Sequence, residues 1–158
     1  MSFAALLSRF TAAVETGDGP ALAALFTPDG IYHDNFYGEF AGRETIARML
    51  TDHFWRDAEG FKWDMAEPVS DGRIGYARWT FSYESKMADS RGRPVAFAGI
   101  SRFVLAGDQI ARYDEAYNAG LAFAQLDMAP ERIAKILRRM SEASLRSEPL
   151  LGHLARRR

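Results

Sequence analysis

Apolar residues near the start of the chain recur every three or four positions, which is the spacing of one helical face. The residues that follow this pattern are Phe3, Leu6, Leu7, Phe10 and Val14. The pattern predicts a first helix that ends at Gly17. Asp18 can cap a second short helix, which tolerates Pro20 in its first turn. A turn at residues 28–30, Pro-Asp-Gly, should then lead into a strand.

Two short strands are predicted at residues 31–34 and 37–40, and they should meet near Asn35. Gly42 should release the chain into a third helix, whose apolar residues are Ile46, Met49, Leu50 and Phe54. These assignments predict a compact group of helices and short strands in the first third of the chain.

From Phe61 onward the apolar period changes from that of a helix to that of a strand, in which alternate side chains face one side. Asp71-Gly72 is typical of a hairpin turn. After it, one face carries Ala77, Trp79, Phe81 and Tyr83. Two further strands are expected at 95–105 and 110–117. Helices followed by an antiparallel meander predict an α+β fold.

The end of the chain has a helical pattern of its own. Pro130 can open a helix with an apolar stripe, and the residues concerned are Ile133, Ile136, Leu137 and Met140, followed by Leu150, Leu151 and Leu154. We interpret residues 1–128 as one domain and 129–158 as a helical extension packed on the same domain or on a dimer partner. A binding site for another protein is the alternative.

Composition removes several classes of function. A formal charge of −1 over 158 residues gives no general attraction to nucleic acid or to an anionic membrane. The absence of cysteine excludes disulfides, thiolate metal sites and a cysteine nucleophile. No stretch approaches the length of a membrane-spanning helix, and no two histidines have metal-ligand spacing. We expect a cytoplasmic protein without a metal or other cofactor.

Strand parity indicates which side chains meet inside the sheet. On the last strand Tyr113, Glu115 and Tyr117 share a face, and on the strand before it Phe97 and Ser101 do so. Glu115 should therefore lie among aromatic rings. A carboxylate in such surroundings must be paired, be hydrogen-bonded or have a raised pKa, which is the usual preparation for proton transfer.

Asp34 meets the same conditions, because it shares parity with Tyr32 and stands where the strand turns beside Phe36. Two carboxylates at an apolar cavity could divide the roles of base and acid if their environments separate their pKa values. His33 alternates with both neighbours and should point outward. If Asp34 and Glu115 are structural instead, they should form a buried salt bridge or a hydrogen-bonded pair, and the arginines that the chain offers for this are Arg43, Arg78 and Arg112.

Residues 10–46, FTAAVETGDGPALAALFTPDGIYHDNFYGEFAGRETI, resemble the nuclear-transport-factor-2-like superfamily, which includes ketosteroid isomerase and the SnoaL-type polyketide cyclases. The resemblance implies a cone-shaped, strongly curved and mainly antiparallel sheet wrapped around the N-terminal helices, with an apolar pocket inside. It also implies a homodimer. It places Asp34 and Glu115 together, which sequence spacing alone cannot do.

Alignment with ketosteroid isomerase puts Asp34 at the position of the catalytic base. Phe10 stands where that enzyme has its oxyanion-hole tyrosine, and Ser101 where it has a protonated aspartic acid. The loss of one such donor commonly lowers the rate by about 10²–10³. Steroid isomerisation by that mechanism is therefore not expected.

The end of the sheet is more similar to the SnoaL-type cyclases. In RYDEAYNAGLAFAQL, Glu115 matches the catalytic aspartate of that group, Asn118 a downstream aspartate, and Gln125-Leu126 a Gln-Leu pair. Glutamate in place of aspartate moves the carboxylate by one methylene, which changes the geometry of the site. The resemblance covers residues 1–128 and is more informative about the fold than about the reaction.

The resulting hypothesis is a cofactor-independent isomerase, cyclase or dehydratase acting on a small, apolar, oxygenated metabolite. Asp34 or Glu115 would be the base and the other the acid, while Ser101, Tyr113 or Tyr117 would hydrogen-bond the developing enolate. The predicted substrate-contacting residues are Phe10, Tyr32, Phe36, Met49, Phe54, Trp63, Trp79, Phe81, Tyr83, Phe97, Ser101, Tyr113 and Tyr117. The alternative is a ligand-binding or oligomeric scaffold module without catalysis.

Overall fold

A computed structural model describes residues 1–157, and it begins with two helices, α1 (Phe3–Thr16) and α2 (Gly19–Ala24). The Ser2 hydroxyl caps α1 by accepting a hydrogen bond from the Ala5 amide at 3.2 Å. Asp18 caps α2 in the same way, through the Ala21 amide at 2.9 Å. Gly17 ends α1 with φ at +70°, a conformation that glycine adopts without strain. The predicted end of the first helix and start of the second are confirmed, but the second helix ends at Ala24, and Phe26, which was expected on its apolar side, begins a strand.

Six strands form one curved, unclosed sheet. They are β1 (Phe26–Asp34), β2 (Gly38–Ala41), β3 (Ala58–Ser70), β4 (Ile74–Ser85), β5 (Pro94–Ala106) and β6 (Gln109–Tyr117). Their order across the sheet is β2-β1-β6-β5-β4-β3. Only β1 and β6 are parallel, and every other pair is antiparallel. The predicted α+β class and mainly antiparallel sheet are confirmed.

β1 begins at Phe26, five residues before the predicted start at Ile31. The expected turn at residues 28–30 lies inside the strand, where the register of β1 against β6 shifts between Phe26 and Ile31. This irregularity accommodates Pro28, which has no amide hydrogen for a regular ladder. The chain therefore bends within a strand instead of turning before one.

The third helical segment is not one continuous α-helix, and this prediction is wrong in that respect. It consists of α3 (Arg43–Met49), a π-helical turn (Leu50–Phe54) and α4 (Trp55–Asp57). The wider turn still directs the predicted apolar residues inward, since Ile46, Met49, Leu50 and Phe54 are all buried. It therefore changes the path of the backbone without exposing the apolar face.

The main core lies between α1 and the concave face of the sheet. Phe10, which is fully buried, stacks on Tyr32 with ring centroids 6.0 Å apart and lies 5.0 Å from Tyr113. Trp63 and Phe103 pack edge-on against Phe10, with ring centroids 5.4 and 5.7 Å from its own. Aromatic side chains from four different strands thus close on one residue of α1 and hold the helix in the cone.

The chain ends in α5 (Ala119–Gln125), α6 (Pro130–Leu145) and α7 (Glu148–Ala155). The Gln125 side chain binds both backbone groups of Ala96 at 2.8 Å, which attaches α5 to β5. The helix that Pro130 opens is confirmed, but α6 buries none of its residues and Leu137 is 38% exposed. Within residues 1–157, no helix has the length and apolar character needed to cross a membrane.

Candidate active site

Asp34 and Glu115 come together because β1 and β6 run side by side in parallel. Tyr32 pairs with Tyr113 and His33 with Asp114, so the next positions along the two strands are Asp34 and Glu115. Burial is the largest influence on both carboxyls and raises the pKa of each, and the charge of Asp34 raises the pKa of Glu115 further. The two carboxyls therefore influence each other's ionisation.

Asp34 is 5% exposed and ends β1 at a tight turn. Its Oδ1 atom accepts hydrogen bonds from the amides of Phe36 at 2.7 Å and Tyr37 at 2.6 Å. Burial raises the pKa of Asp34, and these two backbone donors oppose that rise because they favour the carboxylate. Asp34 is thus the better-stabilised anion of the pair.

Glu115 ends a directed chain of buried hydrogen bonds, which we call the relay and which consists of Trp79, Ser101, Tyr113 and Glu115. The Trp79 Nε1–H donates to Ser101 Oγ at 2.8 Å, Ser101 donates to Tyr113 Oη at 2.8 Å, and Tyr113 donates to Glu115 Oε2 at 2.9 Å. An indole N–H can only donate, so Ser101 Oγ is the acceptor in the first bond of the relay. Gly99 makes room for it, because a Cβ there would collide with the Trp79 ring.

The other carboxyl oxygen of Glu115, Oε1, accepts the Asn35 amide at 3.1 Å. Burial is the largest influence on Glu115, followed by the charge of Asp34, and together they raise its pKa well above the usual value of 4.5. Two neighbouring carboxyl groups do not both ionise readily, because their negative charges repel each other. The pKa is therefore raised more strongly for Glu115 than for Asp34, so that a proton bound by the pair favours Glu115.

The arginines that could have neutralised these carboxyls bind elsewhere. Arg43 donates to the Phe26 carbonyl oxygen, Arg78 pairs with Glu67, and Arg112 pairs with Asp114 and Glu39. Within residues 1–157, neither Asp34 nor Glu115 forms a salt bridge. The pair is buried without a structural counter-ion.

His33 points to the opposite face of β1, as its parity predicts. Its Nδ1 atom lies 3.3 Å from Asp114 Oδ1, and the hydrogen bond to Asp114 raises the pKa of His33. Asp114 also binds Arg102 at 3.1 Å and Arg112 at 2.8 Å. His33 thus belongs to a charged cluster outside the cone.

The carboxyl pair adjoins two cavities. The outer cavity has a volume of about 300 Å³, and nine aromatic residues line it, namely Phe36, Tyr37, Phe54, Phe61, Phe81, Tyr83, Phe97, Tyr117 and Phe123. Asp34 lies at its inner end, while Arg56, Asp57 and Arg132 provide charged groups in its wall. This volume lies at the lower end of the range for small-molecule sites.

The inner cavity is much smaller, about 30 Å³, and both carboxyls of the pair line it together with Trp63 and Trp79. It shares several lining residues with the outer cavity, and these are Asp34, Phe54, Phe81, Phe97 and Tyr117. The two cavities therefore adjoin, with Asp34 at their junction.

The predicted contact residues divide into three groups. Eight line one or both cavities, and these are Phe36, Phe54, Trp63, Trp79, Phe81, Tyr83, Phe97 and Tyr117. Ser101 and Tyr113 are buried in the relay, where their hydroxyls already have partners. Phe10, Tyr32 and Met49 line neither of these two cavities, because packing between α1, α3 and the sheet encloses them in the core.

Several lining residues were absent from the sequence-based set. Phe61 alternates with Trp63 on β3, so the period-two pattern contained a signal for it. Phe123 on α5, Met128, and Arg132 and Ile136 on α6 also line the outer cavity. No pattern in the sequence indicates that these helices cover the opening of the cone. In residues 1–157 no group of three or more acidic or histidine side chains is arranged to hold a metal ion.

The curved sheet, the enclosed helix and the buried carboxyl pair define a protein of the nuclear-transport-factor-2-like class. Residues 7–113 match the family model of the SnoaL-like domain, which is more than half of the chain. The protein therefore belongs to the SnoaL-like domain family, and the resemblance noted in the sequence is confirmed. Curated protein sequences gave no match.

Solved structures with the same fold come from several bacteria. A hypothetical protein from Catenulispora acidiphila with a ketosteroid isomerase-like fold, in complex with trimethylamine, is 20% identical with a TM-score of 0.72, over 80% of this chain and 95% of that one. A candidate polyketide cyclase from Pseudomonas putida is 22% identical with a TM-score of 0.64, over 79% of this chain and 98% of that one. An LEH-like epoxide hydrolase from M. tuberculosis is 16% identical with a TM-score of 0.64, over 77% of this chain and 86% of that one. At these identities the similarity establishes the fold.

Proposed function

We propose that this protein is a cofactor-independent enzyme that moves a proton at a carbon next to the carbonyl group of a small apolar metabolite. The observation that carries the proposal is the buried Asp34–Glu115 pair, which has no arginine partner and of which Asp34 lines an aromatic-walled cavity. Such a pair serves acid–base chemistry better than structure, because a structural ion pair needs a counter-ion. Isomerisation, cyclisation and dehydration all use this step.

Asp34 is the base in this proposal. It is the better-stabilised anion of the pair and lines both cavities. Its carboxylate takes the proton from the substrate carbon, and the electrons of the broken C–H bond form the C=C bond of the enolate while the carbonyl electrons move to oxygen. Glu115, whose pKa burial and the charge of Asp34 raise, is the acid. Asp34 or Glu115 then returns a proton to carbon.

Hydrogen–deuterium exchange tests the proposal without knowledge of the product. Apolar ketones and conjugated enones, 2-tetralone among them, are incubated with the protein in D₂O, and proton NMR follows the loss of the signals next to the carbonyl. We expect exchange above the rate in buffer. Asp34→Asn and Glu115→Gln should each slow it by about 10²–10⁴, the usual contribution of a positioned acid or base.

Two exposed carboxylates provide matched controls. Asp64 on β3 and Glu84 on β4 point away from the cone, so Asp64→Asn and Glu84→Gln should keep the full rate. The side-chain oxygen introduced by Asp34→Asn can still accept the two backbone amides that stabilise the turn, so this variant should retain the fold. The proposal is wrong if no compound exchanges faster than in buffer, or if Asp34→Asn exchanges as fast as the unaltered protein.

Ligand binding without catalysis is the second candidate. The aromatic wall of the outer cavity could hold an apolar compound by burial alone. Binding of the same ketones without any exchange would favour this function. A scaffold without catalysis would have Asp34 and Glu115 paired with arginine side chains. Arg43, Arg78 and Arg112 instead bind other groups.

A homodimer remains part of the proposal. The outward face of the sheet exposes large apolar side chains, and these include Val69 at 62%, Tyr76 at 42% and Ile100 at 44%. Contiguous exposed apolar surface is typical of an interface. Sedimentation at several concentrations tests it, and a strictly monomeric protein would contradict it.

A further inference from the structure

Trp63 carries a buried hydrogen-bond donor that the relay does not use. The residue is 4% exposed, and its Nε1 atom has no hydrogen-bond partner among residues 1–157. The other two tryptophans are satisfied, because Trp55 Nε1 donates to the Val14 carbonyl oxygen at 3.1 Å and Trp79 Nε1 donates to Ser101. Buried donors are rarely left without an acceptor, so this one requires an explanation.

Trp63, the residue with the unpartnered donor, is one of the residues that line the inner cavity. Trp63 lines that cavity together with Asp34 and Glu115, and the volume of about 30 Å³ holds roughly one group the size of a water molecule or a carbonyl oxygen. The outer cavity, ten times larger, adjoins it. A ligand with one oxygen at a narrow end fits this pair of volumes.

The Trp63 ring is held in place before any ligand arrives. It contacts Phe81 at 4.9 Å, Phe10 at 5.4 Å and Trp79 at 5.9 Å between ring centroids. Its backbone amide also donates to Glu15 Oε1 at 2.7 Å. A donor fixed in this way needs little reorganisation when charge develops on the atom that it contacts.

We propose that Trp63 Nε1–H donates a hydrogen bond to the carbonyl oxygen of the substrate, which enters the inner cavity while the apolar body stays in the outer cavity. The inference rests on the proposed function, and it narrows the substrate to ketones and enones whose carbonyl lies at an unhindered end. When Asp34 removes the proton, negative charge develops on the oxygen, and the indole donor stabilises that charge.

NMR of the ¹⁵N-labelled protein tests the contact directly. The chain has three tryptophans, so the spectrum has three indole signals, which the Trp55→Phe, Trp63→Phe and Trp79→Phe variants assign. We expect 2-tetralone to move the Trp63 indole proton downfield, because a new acceptor deshields it. Tetralin, which has the same ring system without the oxygen, should leave it close to its starting position.

Binding and exchange measurements with Trp63→Phe add a second readout. The variant keeps an aromatic ring but has no donor, so affinity for 2-tetralone should fall by about 3–10-fold, while affinity for tetralin should stay within about twofold. Ketone exchange should slow by about 10²–10³, as for the loss of one oxyanion donor. Trp55→Phe is the control, since its ring lies outside both cavities.

The outcomes separate this inference from the proposed function. A downfield shift of the Trp63 signal without exchange would support the contact and contradict the enzyme. Exchange that survives unchanged in Trp63→Phe would support the enzyme and overturn the contact. The inference is also overturned if neither 2-tetralone nor 2-decalone moves the Trp63 signal at the limit of its solubility, and this titration uses the unaltered protein once its indole signals are assigned.

Discussion

The Tyr113 hydroxyl donates a hydrogen bond to Glu115 at 2.9 Å while accepting one from Ser101 at 2.8 Å. The bond to Glu115 favours the ionised carboxylate and so lowers its pKa, whereas burial and the charge of Asp34 raise the pKa by more. The proton affinity of Glu115 is thus the difference between opposing influences that come from identifiable neighbours.

Removal of the Tyr113 hydroxyl should raise the pKa of Glu115 further. In Tyr113→Phe the carboxylate loses one donor while its burial is unchanged. The ¹³C signal of the Glu115 carboxyl, followed as a function of pH, measures the shift. Tyr76→Phe is the control, because Tyr76 is exposed on the outer face of β4. A pKa that falls or stays constant in Tyr113→Phe would contradict the direction of the relay.

The stability of the protein should decline as pH rises above the usual pKa of a glutamic acid, 4.5. A raised pKa means that the folded state holds a proton that the unfolded state has lost, so the free energy of unfolding falls until the pH passes the folded pKa. The slope should reach about 1.4 kcal/mol per pH unit for one proton. Glu115→Gln should flatten it, and urea unfolding between pH 5 and pH 9 measures the difference.

Asp34 and His33 contribute slopes of the same sign, since their pKa values are also raised, from 3.8 and 6.5, and Asp34 is present in both proteins compared. Both proteins should therefore carry His33→Gln in this comparison. The lowered pKa values of Asp57, Asp71 and Asp114 act below 3.8 and lie outside the range of the measurement. Parallel curves for the proteins with and without Glu115→Gln would show that Glu115 ionises normally in the folded state.

Loss of the hydroxyl from Tyr32 and from Tyr113 should affect the free energy of unfolding differently. The Tyr32 hydroxyl lies in the core beside Tyr113 but makes no hydrogen bond of acceptable geometry. Tyr32→Phe should therefore leave the free energy of unfolding unchanged or raise it by about 1 kcal/mol, whereas Tyr113→Phe should lower it by about 1–3 kcal/mol. Urea unfolding of both variants at pH 5 tests this, and an equal loss in both would contradict the assignment.

Deletion of residues 130–158 should leave a folded protein with a weaker ligand site. α6 buries none of its residues, but Arg132 and Ile136 line the outer cavity. We expect a cooperative thermal transition and a several-fold loss of affinity for 2-tetralone. Loss of the transition would instead make the extension part of the folding unit and would contradict the division at residue 128.

The strands whose side chains alternate between two faces could be predicted from the sequence. Alternation on β4, β5 and β6 assigns Trp79, Ser101 and Glu115 to one face, because a strand places every second side chain on the same side. The continuation of β1 through Pro28 and the π-helical turn could not be predicted. Both are local departures from regular hydrogen bonding that packing stabilises, and they leave no periodic signal.

The hydrogen-bond partners of the site residues could not be predicted from the sequence either. Ser101 and Tyr113 were expected to bind the ligand, but their hydroxyls bond to each other and to Glu115. Trp63 was expected only as part of the wall, and its unpartnered Nε1 atom became evident once the neighbouring strands were in place. Parity indicates a face, whereas a hydrogen bond depends on distances between residues remote in sequence.

The outer cavity has walls of unequal stiffness. Its strand side consists of aromatic rings packed on one another, such as Phe61 against Phe81 at 5.7 Å, while its helical side includes the first turns of α6, which has no buried residue. Segments with few buried contacts open at low free energy. In the proposed enzyme the helical wall would therefore yield to bulkier compounds while the strands keep Asp34 and Glu115 aligned, so that tolerance for the shape of the ligand and accuracy in placing the proton would reside in separate parts of the molecule.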